Sequence, residues 1–302
     1  MQHAGFLRSF LFVPAANARL LASALAKPGD ALILDLEDGT HPSQREAARA
    51  GLPAAFAQLQ ATGKHAAVRI NGDLLTAVTD LRAAVRPGLD LLVLPKVEHA
   101  RDVQRLAEAV ATLEQETGVA AGHVRFLLQI ESAAALPQLH GIAAAHPRVM
   151  GMMLGSEDFS LDIGAEPTPA TLLQPSLMLL HAARAAGVQP IGFIASIAAL
   201  GSVEDFRATL AQAKSLGFRG AVVVHPKFVD AIHDCYTATA EQLDQARALV
   251  QAFEAALEQG QGAIRVGTTM VDKPVYLRAL GLLAENGAPA RPLKANRLRR
   301  AP

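Results

Sequence analysis

Arg125-Phe-Leu-Leu-Gln-Ile-Glu131-Ser132, followed one helix-like segment later by Val149-Met-Gly-Met-Met-Leu-Gly155-Ser-Glu-Asp158, decides how this chain is read. Each half is an apolar run of strand length that closes on an acid. Uninterrupted apolar runs of this length suit strands buried on both faces, as in parallel sheets. A carboxylate at the end of such a strand has no packing role. Two acids one strand–helix unit apart would stand on neighbouring parallel strands, roughly 4.8 Å apart, close enough to share one hard cation.

Working outward, similar runs recur at Ser9–Ala15, Ala31–Asp38, Ala66–Asn71, Leu91–Val97, Pro190–Ser196 and Gly220–Pro226. With the two above they make eight. Between most of them lie stretches with helical spacing. Ser202 to Leu216 puts Val203, Phe206, Leu210, Ala213 and Leu216 on one face. Ser43-Gln-Arg-Glu46 and Thr239-Ala-Glu-Gln242 carry capping-box spacing and should open helices. Strands alternating with helices mean parallel strands joined by crossovers, and eight units match a (β/α)8 TIM barrel of roughly 250 residues. A doubly wound open sheet is the competitor. Its nucleotide turn needs glycines after the first strand, where this chain has Pro14-Ala-Ala-Asn17. We therefore expect a barrel over residues 1–259 and a C-terminal helical lid extension over 260–302. The lid should hold a helix from Val275 to Asn286 and a basic tail with Arg291, Lys294, Arg297, Arg299 and Arg300, read as a solvated terminus.

The 302 residues are 51% hydrophobic and 19% charged with formal net charge zero, enough for a large core and no electrostatic footprint for nucleic acid. No stretch reads as a membrane span of about 20 residues. Ser9-Phe-Leu-Phe-Val-Pro-Ala only faintly mimics a signal peptide, since Pro14 and Arg19 interrupt it. The single cysteine, Cys235, fits a reducing, cytoplasmic setting.

In barrels of this kind the active site sits at the C-terminal strand ends. Polar groups gather there in the sequence: Glu37 and Asp38, Arg69 and Asn71, Lys96, Glu131, Asp158 and His225. Glu131 and Asp158 are the metal-ligand candidates. Oxygen donors without paired His or Cys favour magnesium over zinc. The bland alternative makes each acid a helix cap or ion-pair partner. Glu37 and Asp38 would accept from the metal's waters, or cap the helix ahead. Arg69 suits a carboxylate or a developing enolate oxygen, and an ion pair with Glu37 or Asp38 is compatible with that. A desolvated Lys96 would instead support Schiff-base chemistry and a metal-free aldolase. His225-Pro226 is read as structural ahead of catalytic.

Arg8-Ser-Phe-Leu-Phe-Val-Pro14, Leu34-Asp-Leu-Glu-Asp38, Val68-Arg-Ile-Asn71, Leu94-Pro-Lys-Val-Glu98, Gln129-Ile-Glu131-Ser132 and Gly155-Ser-Glu-Asp158 resemble the citrate lyase beta-subunit-like family. That family is kin to the malyl-CoA and citramalyl-CoA lyases in the class II pyruvate aldolase superfamily. The resemblance runs in order from Arg8 to about Asp272. It implies a TIM barrel assembled as a homotrimer or hexamer, and Mg2+ on Glu131 and Asp158. It implies Arg69 on a substrate oxygen, Glu37 and Asp38 around the metal's waters, and backbone N–H groups of Gly155 and Ser156 for the substrate carboxylate. The lid aspartate, delivered to a neighbouring subunit, corresponds to Asp272 in Gly267-Thr-Thr-Met-Val-Asp272, where a threonine replaces the family's lysine. Ala15 replaces a glycine, and Ala195-Ser-Ile-Ala-Ala-Leu-Gly-Ser lacks the acids common in the lyases.

The implied reaction is retro-Claisen cleavage of a 3-hydroxyacyl-CoA of malyl-CoA, citramalyl-CoA or citryl-CoA type. Its products are an acyl-CoA and a small 2-keto acid. Arg8, Arg19 and Lys27, near the first strand, are candidates for the CoA phosphates. A class II metal aldolase acting on a free hydroxy-keto acid and a non-catalytic subunit of a lyase assembly remain the alternatives.

Overall fold

The computed structural model describes residues 6–287; the basic tail from Arg291 to Arg300 lies outside the described residues. Eight strands run β1 (Ser9–Pro14), β2 (Ala31–Asp35), β3 (His65–Arg69), β4 (Leu91–Leu94), β5 (Arg125–Ile130), β6 (Val149–Leu154), β7 (Gln189–Pro190) and β8 (Ala221–Val223). Between and after them lie α1 (Ala18–Leu25), α2 (Arg45–Ala61), α3 (Leu74–Ala84), α4 (Ala100–Thr117), α5 (Leu139–Ala143), α6 (Ser156–Asp162), α7 (Pro169–Ala186), α8 (Val203–Leu216) and α9 (Val229–Tyr236).

The strands lie in the order β7-β6-β5-β4-β3-β2-β1-β8, all parallel. Two backbone bonds join the free edges: Arg219 N–H to the Pro190 carbonyl (3.0 Å) and Gly192 N–H to the Gly220 carbonyl (2.9 Å). The side-chain amide of Gln189 adds bonds to the Leu7 (2.6 Å) and Arg219 (2.7 Å) carbonyls. The architecture is the expected (β/α)8 barrel. β7 is far shorter than its apolar run predicts. Pro190 has no N–H to give, and Gly192 turns the chain out of strand geometry with φ 140°.

Strand parity sorts the side chains. Phe10, Ile33, Ala67, Val93, Leu127, Met153, Ile191 and Val222 fill the barrel interior. Their neighbours Leu11, Leu32, Val68, Leu92, Leu128 and Met152 face the helices. Because the period is two, Asp35, Arg69, Gln129 and Glu131 continue the interior column toward the C-terminal mouth.

Helix starts met one expectation and missed another. Thr239 with Gln242 forms a capping box, and so does Ser202 with Asp205. Ser43-Gln-Arg-Glu46 does not. His41 Nδ1 accepts from Ser43 N–H across a 3-10 turn at Pro42–Gln44, and α2 begins only at Arg45. Proline at 42 starts the tighter turn before Ser43 can cap.

A buried ion pair ties α4 to the sheet. Arg148 grips Glu114 through both terminal nitrogens (2.7 and 2.6 Å), and Glu114 accepts backbone N–H groups of Gly122 and Val124. Burial pushes that carboxyl upward, but Arg148 and the two N–H groups hold it below its ordinary range.

By contacts the chain divides after Tyr236. The C-terminal unit contains α10 (Ala240–Glu258), a hairpin of β9 (Ile264–Val266) and β10 (Thr269–Val271), and α11 (Lys273–Glu285). The hairpin precedes the expected lid helix and is an addition to the sequence reading. Phe253, Val271 and Tyr276 form its core, with the two rings 5.0 Å apart. No helix among the described residues is long and apolar enough to cross a membrane.

At the N-terminal strand ends Asp90 is shared by His65 (3.2 Å) and His123 (3.3 Å). The hydrogen bond to Asp90 raises His65 above its ordinary value. Asp90 is pushed up by burial, but His65 and the Ala66 N–H bring it below its own. A raised histidine adds stability that is complete below about pH 6.5 and fades as pH climbs through the folded value. Urea unfolding across pH 5.5–8.5 should show wild type losing this small increment, and His65→Ala should remove that part of the slope. Equal slopes in both proteins would show the pair contributes nothing.

Candidate active site

The site is built around two side chains in register. Asp35 on β2 is the direct cross-strand partner of Arg69 on β3. Both point inward, so the carboxylate takes the guanidinium fork in two parallel bonds: Nε to Oδ1 (2.7 Å) and Nη2 to Oδ2 (2.6 Å). Asp35 also accepts the backbone N–H of Glu37 (3.0 Å) and Gly39 (2.8 Å), and its carbonyl accepts the Thr40 hydroxyl. A Cβ on Gly39 would collide with that carboxylate. Asp35 therefore folds the β2–α2 loop as well as aiming the arginine, whose guanidinium carbon lies 4.8 Å from the Phe12 ring centroid. Sequence reading passed over Asp35 and picked Glu37 and Asp38 beside it. Its inward parity with Ile33 was the available signal.

Glu37 is buried, with Oε2 2.8 Å from Arg69 Nη1 and Oε1 2.9 Å from Lys96 Nζ. Oε2 makes no hydrogen bond. Burial raises the Glu37 carboxyl, against the pull of Arg69 and Lys96. Asp38 stands at the edge, its side chain 63% exposed and 3.9 Å from Arg69. Asn71 is a buried structural group, bonded to Asp80 and to the Leu36 carbonyl.

Lys96 is the only non-glycine with positive φ (53°) among the described residues. That backbone points its N–H at Glu131 Oε2 (2.7 Å) while its side chain reaches Glu37. Strain of this kind, typically of order 1–3 kcal/mol, is balanced here by two charge-assisted bonds. The Glu37 contact raises Lys96 above its ordinary value. A lysine held protonated is a poor Schiff-base nucleophile, so the metal-free aldolase loses support.

Glu131 follows β5 with inward parity and is buried. Gln129, two residues earlier, donates to its Oε1 (2.5 Å). Burial first, then the charges of Glu37 and Asp158, push the Glu131 carboxyl up to about 7. Asp158 differs from expectation in its element. It lies in the first turn of α6 rather than at a strand end. Glu157 beside it, unnoticed in the sequence, accepts from the Ser196 (2.7 Å) and Ser156 (3.2 Å) hydroxyls.

Gly155 is where strand β6 meets α6. Its N–H is already given to the Ile130 carbonyl (2.8 Å), so it is not a donor for substrate. Its role is space: a Cβ would stand 2.6 Å from Glu131 Cγ and 2.8 Å from Oε1. Ser156, one residue on, opens α6, where backbone N–H groups lack intrahelical acceptors.

Of the three cations assigned to CoA phosphates, only Arg19 is at the mouth, in the first turn of α1. Arg8 precedes β1 and gives its N–H to Asp30 (2.6 Å), at the opposite end of the barrel. Lys27 follows α1, which has returned to that same end. Nearness in sequence to the first strand did not distinguish its two ends. His225 is exposed and caps a 3-10 turn through Lys227 N–H (3.0 Å), the structural reading. Asp272 belongs to the C-terminal unit and caps α11, accepting from Val275 N–H (3.2 Å).

The mouth opens into a cavity of about 500 Å3 whose lining includes Asp35, Arg69, Gln129, Gly155, Ser156 and Asp158. Around it the carboxylates of Asp35, Glu37, Asp38, Glu131, Glu157 and Asp158 outnumber the cations of Arg69 and Lys96. Gln129 Oε1 is buried with no hydrogen-bond partner, and buried Glu37 Oε2 meets only the Arg69 ion pair. Among the described residues no group of three or more His, Cys, Asp or Glu side chains is arranged to hold a metal ion. Excess negative charge and a pair of acids rather than a full ligand set fit only a hard cation that keeps waters and takes further ligands from its substrate.

Charged groups converging on the C-terminal mouth of a parallel barrel mark the chain as a barrel enzyme. It belongs to the HpcH/HpaI aldolase/citrate lyase family, which matches residues 8–226, and is a lyase of that family. Citrate lyase subunit beta of Escherichia coli is 35% identical over 275 residues, covering 90% of each chain. The L-malyl-CoA/beta-methylmalyl-CoA lyase of Cereibacter sphaeroides is 31% identical, covering 88% of this chain and 90% of that one. The crystal structure of protein CitE from Mycobacterium tuberculosis, in complex with magnesium, acetoacetate and coenzyme A, superposes with TM-score 0.70. It is 26% identical and covers 94% of this chain and 99% of that one.

The Gly155 contact gives a direct test. Its φ of −80° is one that any residue adopts, so Gly155→Ala should keep the backbone and displace Glu131, with Gln129 Nε2, 3.1 Å from the new Cβ, giving way beside it. Divalent-ion affinity should fall about 10- to 100-fold, as when a supporting contact to a metal ligand is lost, with little change in unfolding midpoint. Unchanged affinity would remove Glu131 from the ion's surroundings.

Proposed function

We propose that this chain is a magnesium-dependent carbon–carbon lyase acting on a 3-hydroxyacyl-CoA that carries a carboxylate on its hydroxyl-bearing carbon. The products are an acyl-CoA and a small 2-keto acid. The observation that carries the reading is Arg69, fixed by Asp35 inside a ring of carboxylates at the barrel mouth. An arginine surrounded by surplus acids is suited to an anionic substrate only when a cation completes the charge. Likeness to lyases of acyl-CoA type supports the same class.

Glu131 and Asp158 would hold Mg2+, which when bound supplies Lewis-acid polarisation of the substrate's oxygens. Glu37 and Asp38 would accept hydrogen bonds from its waters, and Lys96 Nζ, 2.9 Å from Glu37 Oε1, holds that side chain in place. Arg69 has five N–H donors, of which Asp35 takes two. Glu37 stands 2.8 Å from Nη1, and the N–H groups left over would meet the oxygen on which charge develops as the carbon–carbon bond breaks. Such preorganised donors are usually the largest catalytic contribution. Ser156 N–H would bind the substrate carboxylate. Arg19 would meet a CoA phosphate. Asp272, delivered from a second copy in a homotrimer or hexamer, would pass a proton to the acyl-CoA enolate carbon. A cytoplasmic location fits a CoA substrate.

A second reading, in which a partner protein rather than CoA bears the acyl group, draws on the likeness to citrate lyase subunit beta.

The test is cleavage of malyl-CoA, citramalyl-CoA and citryl-CoA by the purified protein, followed as keto-acid release. Turnover should require Mg2+ and vanish with EDTA. Arg69→Gln should lower kcat about 10²- to 10³-fold. Asp272→Asn, which preserves the helix cap, should lower kcat with KM little changed. Turnover indifferent to EDTA and to Arg69→Gln would end this reading; activity only with a protein-borne thioester would favour the second.

A further inference from the structure

The loop that follows β7 has little backbone to hold it. β7 pairs with β6 over Gln189 and Pro190 alone. Beyond them, Ile191 N–H reaches the Met152 carbonyl (2.9 Å) and Gly192 N–H the Gly220 carbonyl (2.9 Å). Among the described residues no backbone–backbone bond is made from Phe193 to Leu200. Yet Phe193, Ala195 and Ile197 of this stretch line the cavity.

Ile194 and Leu200 are buried and pack into the core. For the residues between them, two hydrogen bonds lead to the rest of the barrel, and both end at the start of α6. Ser196 Oγ donates to Glu157 Oε1 (2.7 Å), and Ile197 N–H donates to Ser156 Oγ (3.3 Å). Ser156 Oγ in turn donates to the same Glu157 oxygen (3.2 Å). Ser196 also gathers its own loop, its Oγ accepting the N–H groups of Ala198 (3.2 Å) and Ala199 (3.1 Å). The polar contacts of the segment thus converge on one carboxylate oxygen. Bonds to an ionised acceptor are of the stronger kind. Glu157 stands between Ser156 and Asp158, so the chain that carries the site's polar groups and the loop that walls the cavity are joined through it.

We infer that Glu157 is a positioning residue. Through Ser196 and Ser156 it fixes the segment 195–199 against α6, and so sets the wall that the oxo-acid portion of the substrate meets. It needs to touch no reacting atom to do this. The identity of that ligand rests on the lyase reading proposed above; the clamp is a property of the chain alone.

The experiment reads the clamp and its consequence separately. Amide hydrogen exchange of the metal-free protein, followed by mass spectrometry on peptides spanning 193–200, reports the clamp. Calorimetric binding of pyruvate to the magnesium-loaded protein, with kcat and KM for its condensation with acetyl-CoA, reports the consequence. Glu157→Ala should speed exchange in the segment about 10- to 100-fold, the scale of a lost hydrogen bond to a charged group. It should also weaken pyruvate binding and raise KM more than it lowers kcat. Ser196→Ala should do the same, and the double variant should be no worse than either single one. Both hydroxyls bond to Oε1, so Glu157→Gln keeps an acceptor there and should restore most of the protection and binding. Should Glu157→Ala fail to fold, Ser196→Ala against Ser196→Thr carries the same comparison. Glu157→Gln as impaired as Glu157→Ala would overturn the inference, since charge and not hydrogen bonding would then be responsible. Effects that simply add in the double variant, or exchange unchanged in both single ones, would also overturn it. Faster exchange with pyruvate binding unmoved would end the positioning role and leave the lyase reading standing. Faster exchange and weaker pyruvate binding, in a protein that turns over no acyl-CoA, would keep the positioning role and sink the lyase. A wild type that neither binds nor turns over an oxo acid would sink both.

Discussion

The bidentate contact between Asp35 and Arg69 is the constraint from which the rest of the site follows. Neighbouring parallel strands put the two residues side by side, and strand parity turns both inward. Burying an ion pair costs desolvation that only good geometry and further hydrogen bonds offset. Here both fork bonds form, and Asp35 also takes two loop N–H groups. The loop carrying Glu37 and Asp38 is thus shaped by the same carboxylate that aims the arginine. Replacing either partner would disturb the guanidinium, the loop and the Glu37–Lys96 contact together.

A second layer of constraint comes from the backbone. Lys96 adopts a left-handed conformation that a lysine does not favour, and in return one residue touches both Glu131 and Glu37. Gly155 does the complementary work by leaving out a side chain beside Glu131. The Glu131 carboxyl is raised first by burial and then by the charges of Glu37 and Asp158. Acids gathered this closely around Arg69 are the physical ground for proposing a cation here.

Much of this was legible in the chain. The eight apolar runs gave the barrel, and acids closing two of them led to Glu131 and Asp158. Asp35 was hidden because it lies within an apolar run, where an acid reads as the run's end and attention passes to Glu37. Gln129 was hidden the same way. Arg8 and Lys27 looked close to the site because sequence distance cannot tell the entry of a strand from its exit. Pro190 shortened a strand that hydrophobicity alone extended, Pro42 displaced a helix start, and the β9–β10 hairpin carries too few apolar positions to announce itself.

Calorimetric titration of Mg2+ into the metal-free protein tests the central claim most directly, with and without oxalate as a keto-acid mimic. The account predicts one site per chain, tightened by oxalate, with Glu131→Gln and Asp158→Asn each abolishing measurable binding while the fold is retained. Magnesium binding that is unchanged in both variants, or no binding in the wild type with oxalate present, would contradict it.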